Sequence, residues 1–217
     1  MATTRVKICG ITREEDALAV SASGADAIGL NFYGASPRFI SGDRAAELAE
    51  VVPPFLSIVA LFVDEPVSGI KRILDTVPID IIQFHGDETP EFCEQFGRPW
   101  IKALRVKPGL DIVDACRRYH RARGVLLDSW QAGVPGGTGK TFDWNLAPGN
   151  LSLPTVLAGG LHPENVGEAI VALQPAAVDV SGGVESAPGI KDAQKIHRFV
   201  AAVRAAENKA DGVGYVD

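Results

Sequence analysis

The stretch TVLAGGLHPENVGEAIVALQPAAVDVSGGV, residues 155–184, holds one complete structural unit and the start of the next. Thr155–Ala158 is a short β-branched and aliphatic run, the pattern of a strand covered on both faces. Gly159 and Gly160 end it. Pro163–Leu173 then reads as an amphipathic helix, and Ala177–Ser181 is a second apolar run that stops at Gly182-Gly183. Strand, glycine turn, helix, strand is the grammar of parallel β-strands joined by helical crossovers.

The same unit recurs along the chain. Further strand runs are Arg5–Cys9, Ala27–Phe32, Ser57–Val63, Ile79–His85, Trp100–Val106 and Gly124–Asp128. Helical stretches lie at Glu14–Ser23, Asp43–Val51, Ser68–Val77, Pro90–Phe96, Leu110–Tyr119 and Lys191–Ala206. Thr12 and Ser41 are placed to cap helices, Thr12 with Glu15 three residues on as a capping box. Eight such strands predict an α/β fold, a (β/α)8 TIM barrel forming a single compact domain over residues 1–206. An open doubly wound sheet is the alternative. The sixth helix is the weak element: after Asp128 comes a glycine-rich run, Ser129–Thr141, then only a short stretch near Asp143–Ala147. Residues 207–217 lose hydrophobic periodicity and read as a mobile tail.

Composition narrows the function. The 217 residues are 46% hydrophobic and 22% charged, which excludes a disordered or fibrous chain. Aromatics at 7% leave a core of small aliphatics, suited to a sheet buried on both faces. A net charge of −6 argues against nucleic acid as a partner, since phosphate neutralisation needs a basic face. No apolar run approaches the ~18 residues of a membrane span, and Met1–Thr4 leads directly into a strand rather than a signal peptide. The 3 cysteines, Cys9, Cys93 and Cys116, have neither disulfide-framework nor metal-site spacing. A cytoplasmic protein without a metal site is expected.

In a barrel, chemistry collects where strands end. Cys9 ends the first strand, Gln83 and His85 the fourth, Asp128 the sixth, Asp179 and Ser181 the eighth. Alternation places Lys7 with Cys9, Gln83 with His85, and Asp179 with Ser181 on shared faces. Taken singly, such a Cys is most often core and such an Asp a cap or turn residue. Their convergence on one mouth is what makes them candidates. Gly159-Gly160 and Ser181-Gly182-Gly183 follow the seventh and eighth strands, where barrels commonly bind phosphate through backbone N–H groups. The run Gly136-Gly137-Thr138-Gly139-Lys140-Thr141 imitates a P-loop, but Val134 stands where its first glycine belongs. A lid over the sixth strand is the better reading.

Several motifs occur together in order: Lys7-Ile8-Cys9-Gly10-Ile11-Thr12, Ser36-Pro37-Arg38, Gln83-Phe84-His85-Gly86 and Leu127-Asp128. Gly136-Gly137-Thr138-Gly139, Phe142-Asp143-Trp144, Leu157-Ala158-Gly159-Gly160-Leu161 and Asp179-Val180-Ser181 continue the series. With these the chain resembles the phosphoribosylanthranilate isomerase family of tryptophan biosynthesis. Two departures are small: Gly182 stands where the family often has a second serine, and Asp64 where it often has Asn.

The resemblance implies an aldose–ketose isomerase, an intramolecular oxidoreductase performing an Amadori rearrangement. The small-molecule phosphosugar N-(5-phosphoribosyl)anthranilate would become 1-(2-carboxyphenylamino)-1-deoxyribulose 5-phosphate. It implies Asp128 as acid on the ring oxygen, Cys9 as base at C2′, and no cofactor, because the substrate nitrogen is the electron sink. Asp128 must hold its proton when it acts, which calls for partial burial or carboxylate neighbours. Lys7 is placed to favour the Cys9 thiolate, unless Asp179 takes Lys7 for itself. Arg38 suits the anthranilate carboxylate, since a guanidinium matches a carboxylate bidentately. A monomer or homodimer is expected. Rival readings are a two-aspartate phosphosugar isomerase, a hydrolase with Cys9 as nucleophile beside His85, and a non-catalytic sensor of phosphometabolites.

Overall fold

In a computed structural model of the chain, residues 3–107, 109–129, 148 and 151–212 are described. Eight parallel strands close into a barrel: β1 Arg5–Cys9, β2 Ala27–Asn31, β3 Ser57–Phe62, β4 Ile81–Phe84, β5 Trp100–Val106, β6 Val125–Ser129, β7 Thr155–Leu157 and β8 Ala177–Val180. The ring shuts where β1 pairs with β8, opposing Lys7 to Asp179. Around it run α1 Glu14–Ser23, α2 Gly42–Glu50, α3 Val67–Thr76, α4 Pro90–Glu94, α5 Ile112–Arg118, α6 Val166–Leu173 and α7 Ala193–Gly212. The barrel and its 8 strands are those expected, closed into a ring rather than laid out as an open doubly wound sheet.

Alternation along the strands sorts the side chains. Val6 and Ile8 of β1 face outwards into the main core with Ile28, Leu30, Phe62, Phe84, Leu127 and Val178. Leu126, Ala103 and Ala158 form a smaller cluster of their own. Lys7 and Cys9 take the other face of β1, where Gly29 of β2 leaves them room. A methyl group on Gly29 would lie 2.8 Å from the Cys9 Sγ and 3.0 Å from the Lys7 Cε.

Three local expectations are corrected. Ser41 does cap α2 by accepting the Arg44 N–H, but Thr12 does not cap α1. Its hydroxyl donates instead to the Gly189 carbonyl at 2.6 Å, and Arg13 occupies the cap position without a side-chain bond. Lys191 does not open the last helix. It belongs to a short hairpin, β9 Glu185–Ala187 with β10 Ile190–Lys191, turned at Gly189 with φ +78°. The last helix also outruns the boundary expected at Ala206 and continues to Gly212. There the Glu207 carboxylate accepts the Thr4 N–H and lies beside Arg204, which anchors the turn past 206. Of the tail expected from 207, the remainder lies outside the described residues. So do the stretch Asp143–Ala147 and the expected lid residues Gly136, Gly137, Thr138 and Gly139.

Candidate active site

The strand ends surround a cavity of about 440 Å³. Its walls include Cys9 from β1, Arg38 from the loop after β2, and Gln83 and His85 from the end of β4. Asp128 of β6, Asp179 of β8 and the loop residues Gly159, Gly160, Ser181, Gly182 and Gly183 complete the set expected from sequence. Lys7 is the exception. It lies behind the wall, with its ammonium on the Asp179 carboxylate at 2.8 Å and both side chains buried.

That ion pair decides how the thiol sits at rest. Burial would lower the Lys7 ammonium, but the Asp179 carboxylate and the neighbouring Cys9 outweigh it and hold Lys7 at about 12. Lys7 is therefore a cation already neutralised. Burial pushes the Cys9 thiol up; Lys7 and Lys191 pull it down, while the Asp179 charge adds to the rise. The net direction is upward, so Lys7 does not yield a standing thiolate, and Cys9 rests as a neutral thiol. Iodoacetamide labelling of Cys9, read by peptide mass, is expected to show a pH midpoint above the ordinary thiol value of about 8.5. A midpoint at or below about 7 would show that the cations win.

On the opposite wall, His85 Nε2 lies 3.2 Å from Asp128 Oδ2, and Gln83 Nε2 lies 3.0 Å from His85 Nδ1. Two proton arrangements fit this chain. If the Gln83 amide donates to Nδ1, the imidazole donates to an ionised Asp128. If the amide is turned over, Nδ1–H donates to Gln83 Oε1 and the imidazole accepts from a protonated Asp128. The second arrangement is the one an acid requires. Arg105 of β5, paired in register with Asp128, also lines the cavity and donates to the His85 carbonyl at 3.1 Å.

Arg38 is not a free cation. Its Nε and Nη2 donate to Glu185 Oε1 and Oε2, each at 2.8 Å. Glu185 Oε1 also accepts from Lys191 Nζ at 2.7 Å. Burial would raise the Glu185 carboxyl, but the Arg38 and Lys191 contacts hold it below the usual carboxylate range. Gly10, with φ +77°, lets the Arg38 stem pass: a methyl group there would come within 2.6 Å of Arg38 Cδ.

The glycine loops have a packing reason besides any ligand. A methyl group on Gly183 would stand 1.9 Å from the Leu161 carbonyl oxygen, and one on Gly159 2.4 Å from the Ser129 nitrogen. Among the described residues, the Gly159 and Gly160 N–H groups have no acceptor, which leaves them available to an anion. Gly183→Ala must separate the two loops. It is expected to cost about 2 kcal/mol, a fall in Tm of ~4–8 °C for a chain this size. A melting curve within about 1 °C of the parent would show that the loops yield freely.

Sequence reading missed Glu185, Lys191 and Arg105. Glu185 acts through an ion pair with Arg38, 147 positions away, Lys191 acts through Glu185 rather than by lining the cavity, and Arg105 sits inside a strand. For Arg105 the signal existed: alternation from Ala103 points it into the barrel. Among the described residues no cluster of three His, Cys, Asp or Glu side chains is arranged to hold a metal ion, and no helix is long and apolar enough to cross a membrane.

A closed (β/α)8 barrel whose mouth gathers a thiol, a carboxyl group, a guanidinium and unengaged loop amides defines a barrel enzyme of acid–base type for a small anionic substrate. The comparisons with known proteins narrow that class. The family model for N-(5′phosphoribosyl)anthranilate (PRA) isomerase matches residues 6–202, and the chain belongs to this family. It is 57% identical over 206 residues to the N-(5′-phosphoribosyl)anthranilate isomerase of Pseudomonas putida (strain GB-1), covering 95% of this chain and 100% of that one. Among solved structures, phosphoribosyl anthranilate isomerase from Thermotoga maritima superposes with a TM-score of 0.83 at 39% identity, covering 94% of this chain and 100% of that one. Another phosphoribosyl anthranilate isomerase structure, holding reduced 1-(o-carboxyphenylamino)-1-deoxyribulose 5-phosphate, gives 0.80 at 37% identity, with 94% and 100% covered.

Proposed function

We propose that the chain isomerises N-(5-phosphoribosyl)anthranilate to 1-(2-carboxyphenylamino)-1-deoxyribulose 5-phosphate in tryptophan biosynthesis, with Asp128 as acid and Cys9 as base. The observation that carries the reading is that these two groups, from β6 and β1, open on one cavity between Arg38 and the glycine loops. Asp128 gives its proton to the furanose ring oxygen as the C1′–O bond breaks and the nitrogen lone pair forms an iminium. Cys9, as thiolate, removes the C2′ proton, and the released electron pair moves into C1′=C2′ and neutralises the nitrogen. The enolamine then gains a proton at C1′ and loses one from the C2′ hydroxyl to give the ketone. The iminium is itself a cation beside Cys9, and it favours the thiolate that Lys7 alone does not secure. No cofactor enters this scheme.

Phosphate would be held by backbone N–H groups of Gly159, Gly160, Ser181, Gly182 and Gly183, and the anthranilate carboxylate by Arg38. Residues 1–206, together with the continuation of the last helix past them, would act as one isomerase domain in the cytoplasm, as monomer or homodimer. Expression in a tryptophan auxotroph lacking this isomerase is expected to restore growth without tryptophan. Failure of well-expressed, folded protein to do so would overturn the assignment.

A further inference from the structure

The Arg38–Glu185–Lys191 row has a geometry that the reaction scheme leaves unused. A guanidinium carries five N–H groups. Arg38 spends its Nε–H and one Nη2–H on the two oxygens of Glu185. The other Nη2–H and the Nη1–H beside it form a second parallel pair, and among the described residues Arg38 Nη1 has no acceptor. One guanidinium is thus built to be gripped by one carboxylate while offering its end to another.

Charge explains why Lys191 is there. Arg38 paired with Glu185 is neutral as a unit and would attract an anion weakly. Lys191, with its ammonium 2.7 Å from Glu185 Oε1 and its side chain fully buried, returns one positive charge to the group. Its ammonium also lies 3.3 Å from the Ser181 carbonyl and hydroxyl oxygens, so its remaining donors are used. Burying Glu185 and Lys191 would be costly unless each were paired. The hairpin β9–β10 delivers both, and Gly189 in its turn adds an N–H to Glu185 Oε1 at 3.3 Å.

We propose that Glu185 and Lys191 are positioning residues for substrate selection: Glu185 locks Arg38 so that its Nη1/Nη2 edge faces the anthranilate carboxylate, and Lys191 supplies the net positive charge. The proposal rests on the reading of Arg38 as the carboxylate's partner. Substrate then completes an alternating row of ammonium, carboxylate, guanidinium and carboxylate. Preference for an ortho-carboxylated aryl amine over a plain aryl amine comes from this row.

Two ligands test it by calorimetric titration: reduced 1-(2-carboxyphenylamino)-1-deoxyribulose 5-phosphate, and the same compound with hydrogen in place of the carboxylate. The wild-type chain is expected to prefer the carboxylated ligand by roughly 30-fold or more, the worth of a charge-assisted bidentate contact. Glu185→Gln, which keeps the shape and removes the charge, is expected to cut that preference at least about fivefold while leaving affinity for the uncarboxylated ligand within about threefold. Lys191→Met, which keeps the stem, is expected to do the same and serves if Glu185→Gln does not fold. Equal losses for both ligands would mark the row as structural only, and an unchanged preference would overturn the proposal. Arg38→Ala separates the layers: if it leaves the preference intact, the underlying reading of Arg38 fails as well.

Discussion

Asp128→Asn will lower kcat by about 1,000-fold, within the range that loss of a positioned general acid produces. Asparagine keeps the size of the side chain and an oxygen or nitrogen for His85 Nε2, which lies 3.2 Å from Asp128 Oδ2 in the parent. It has no acidic proton to give. Ring opening would then rely on water for protonation, while the contacts that hold substrate stay in place. KM should therefore stay within a few-fold of the parent, and the loss should appear in kcat. Asp128 is 6% exposed, so the melting temperature must be measured alongside. A folded Asn variant with near-parent turnover would remove Asp128 from the role of acid.

The second large effect is at Cys9. Cys9→Ser replaces sulfur with an oxygen whose hydroxyl does not ionise in the physiological range, so the C2′ proton loses its acceptor. A loss in kcat of about 1,000-fold is expected here too. The side chain is only 7% exposed and is packed against Gly29, yet Ser is close in size, so stability should change by less than about 1.5 kcal/mol. Because each variant removes a different proton transfer, the ring-opened iminium should still form in the Cys9 variant and not in the Asp128 variant. Single-turnover absorbance measurements distinguish them. Full activity in Cys9→Ser would show that another group is the base.

Both residues were legible in the sequence because each ends an apolar run, and a barrel makes strand ends into a common rim. The strands themselves were legible for a related reason. Covered on both sides by helices or core, Ile58–Phe62 of β3 and Val125–Leu127 of β6 read as continuous apolar runs with near-complete burial. The hairpin after β8 was not legible, since strands of 3 and 2 residues are too short to show any period. Thr12 carried a capping pattern, but its hydroxyl was taken by the Gly189 carbonyl, 177 positions away. The partner of Arg38 escaped for the same reason. Glu185 lies 147 positions from it, and nothing local to either residue announces the pair. By sequence Arg38 is a cation awaiting substrate; in the fold it is a cation already oriented by Glu185.

The most direct test of the proposed reaction is its proton inventory. Purified chain incubated with N-(5-phosphoribosyl)anthranilate in D2O, followed by NMR, should form the 1-deoxyribulose 5-phosphate isomer with deuterium in its C1′ methylene group. That result requires loss of the C2′ proton and protonation of an enolamine at C1′. Absence of conversion by folded protein would contradict acid–base isomerisation at this site.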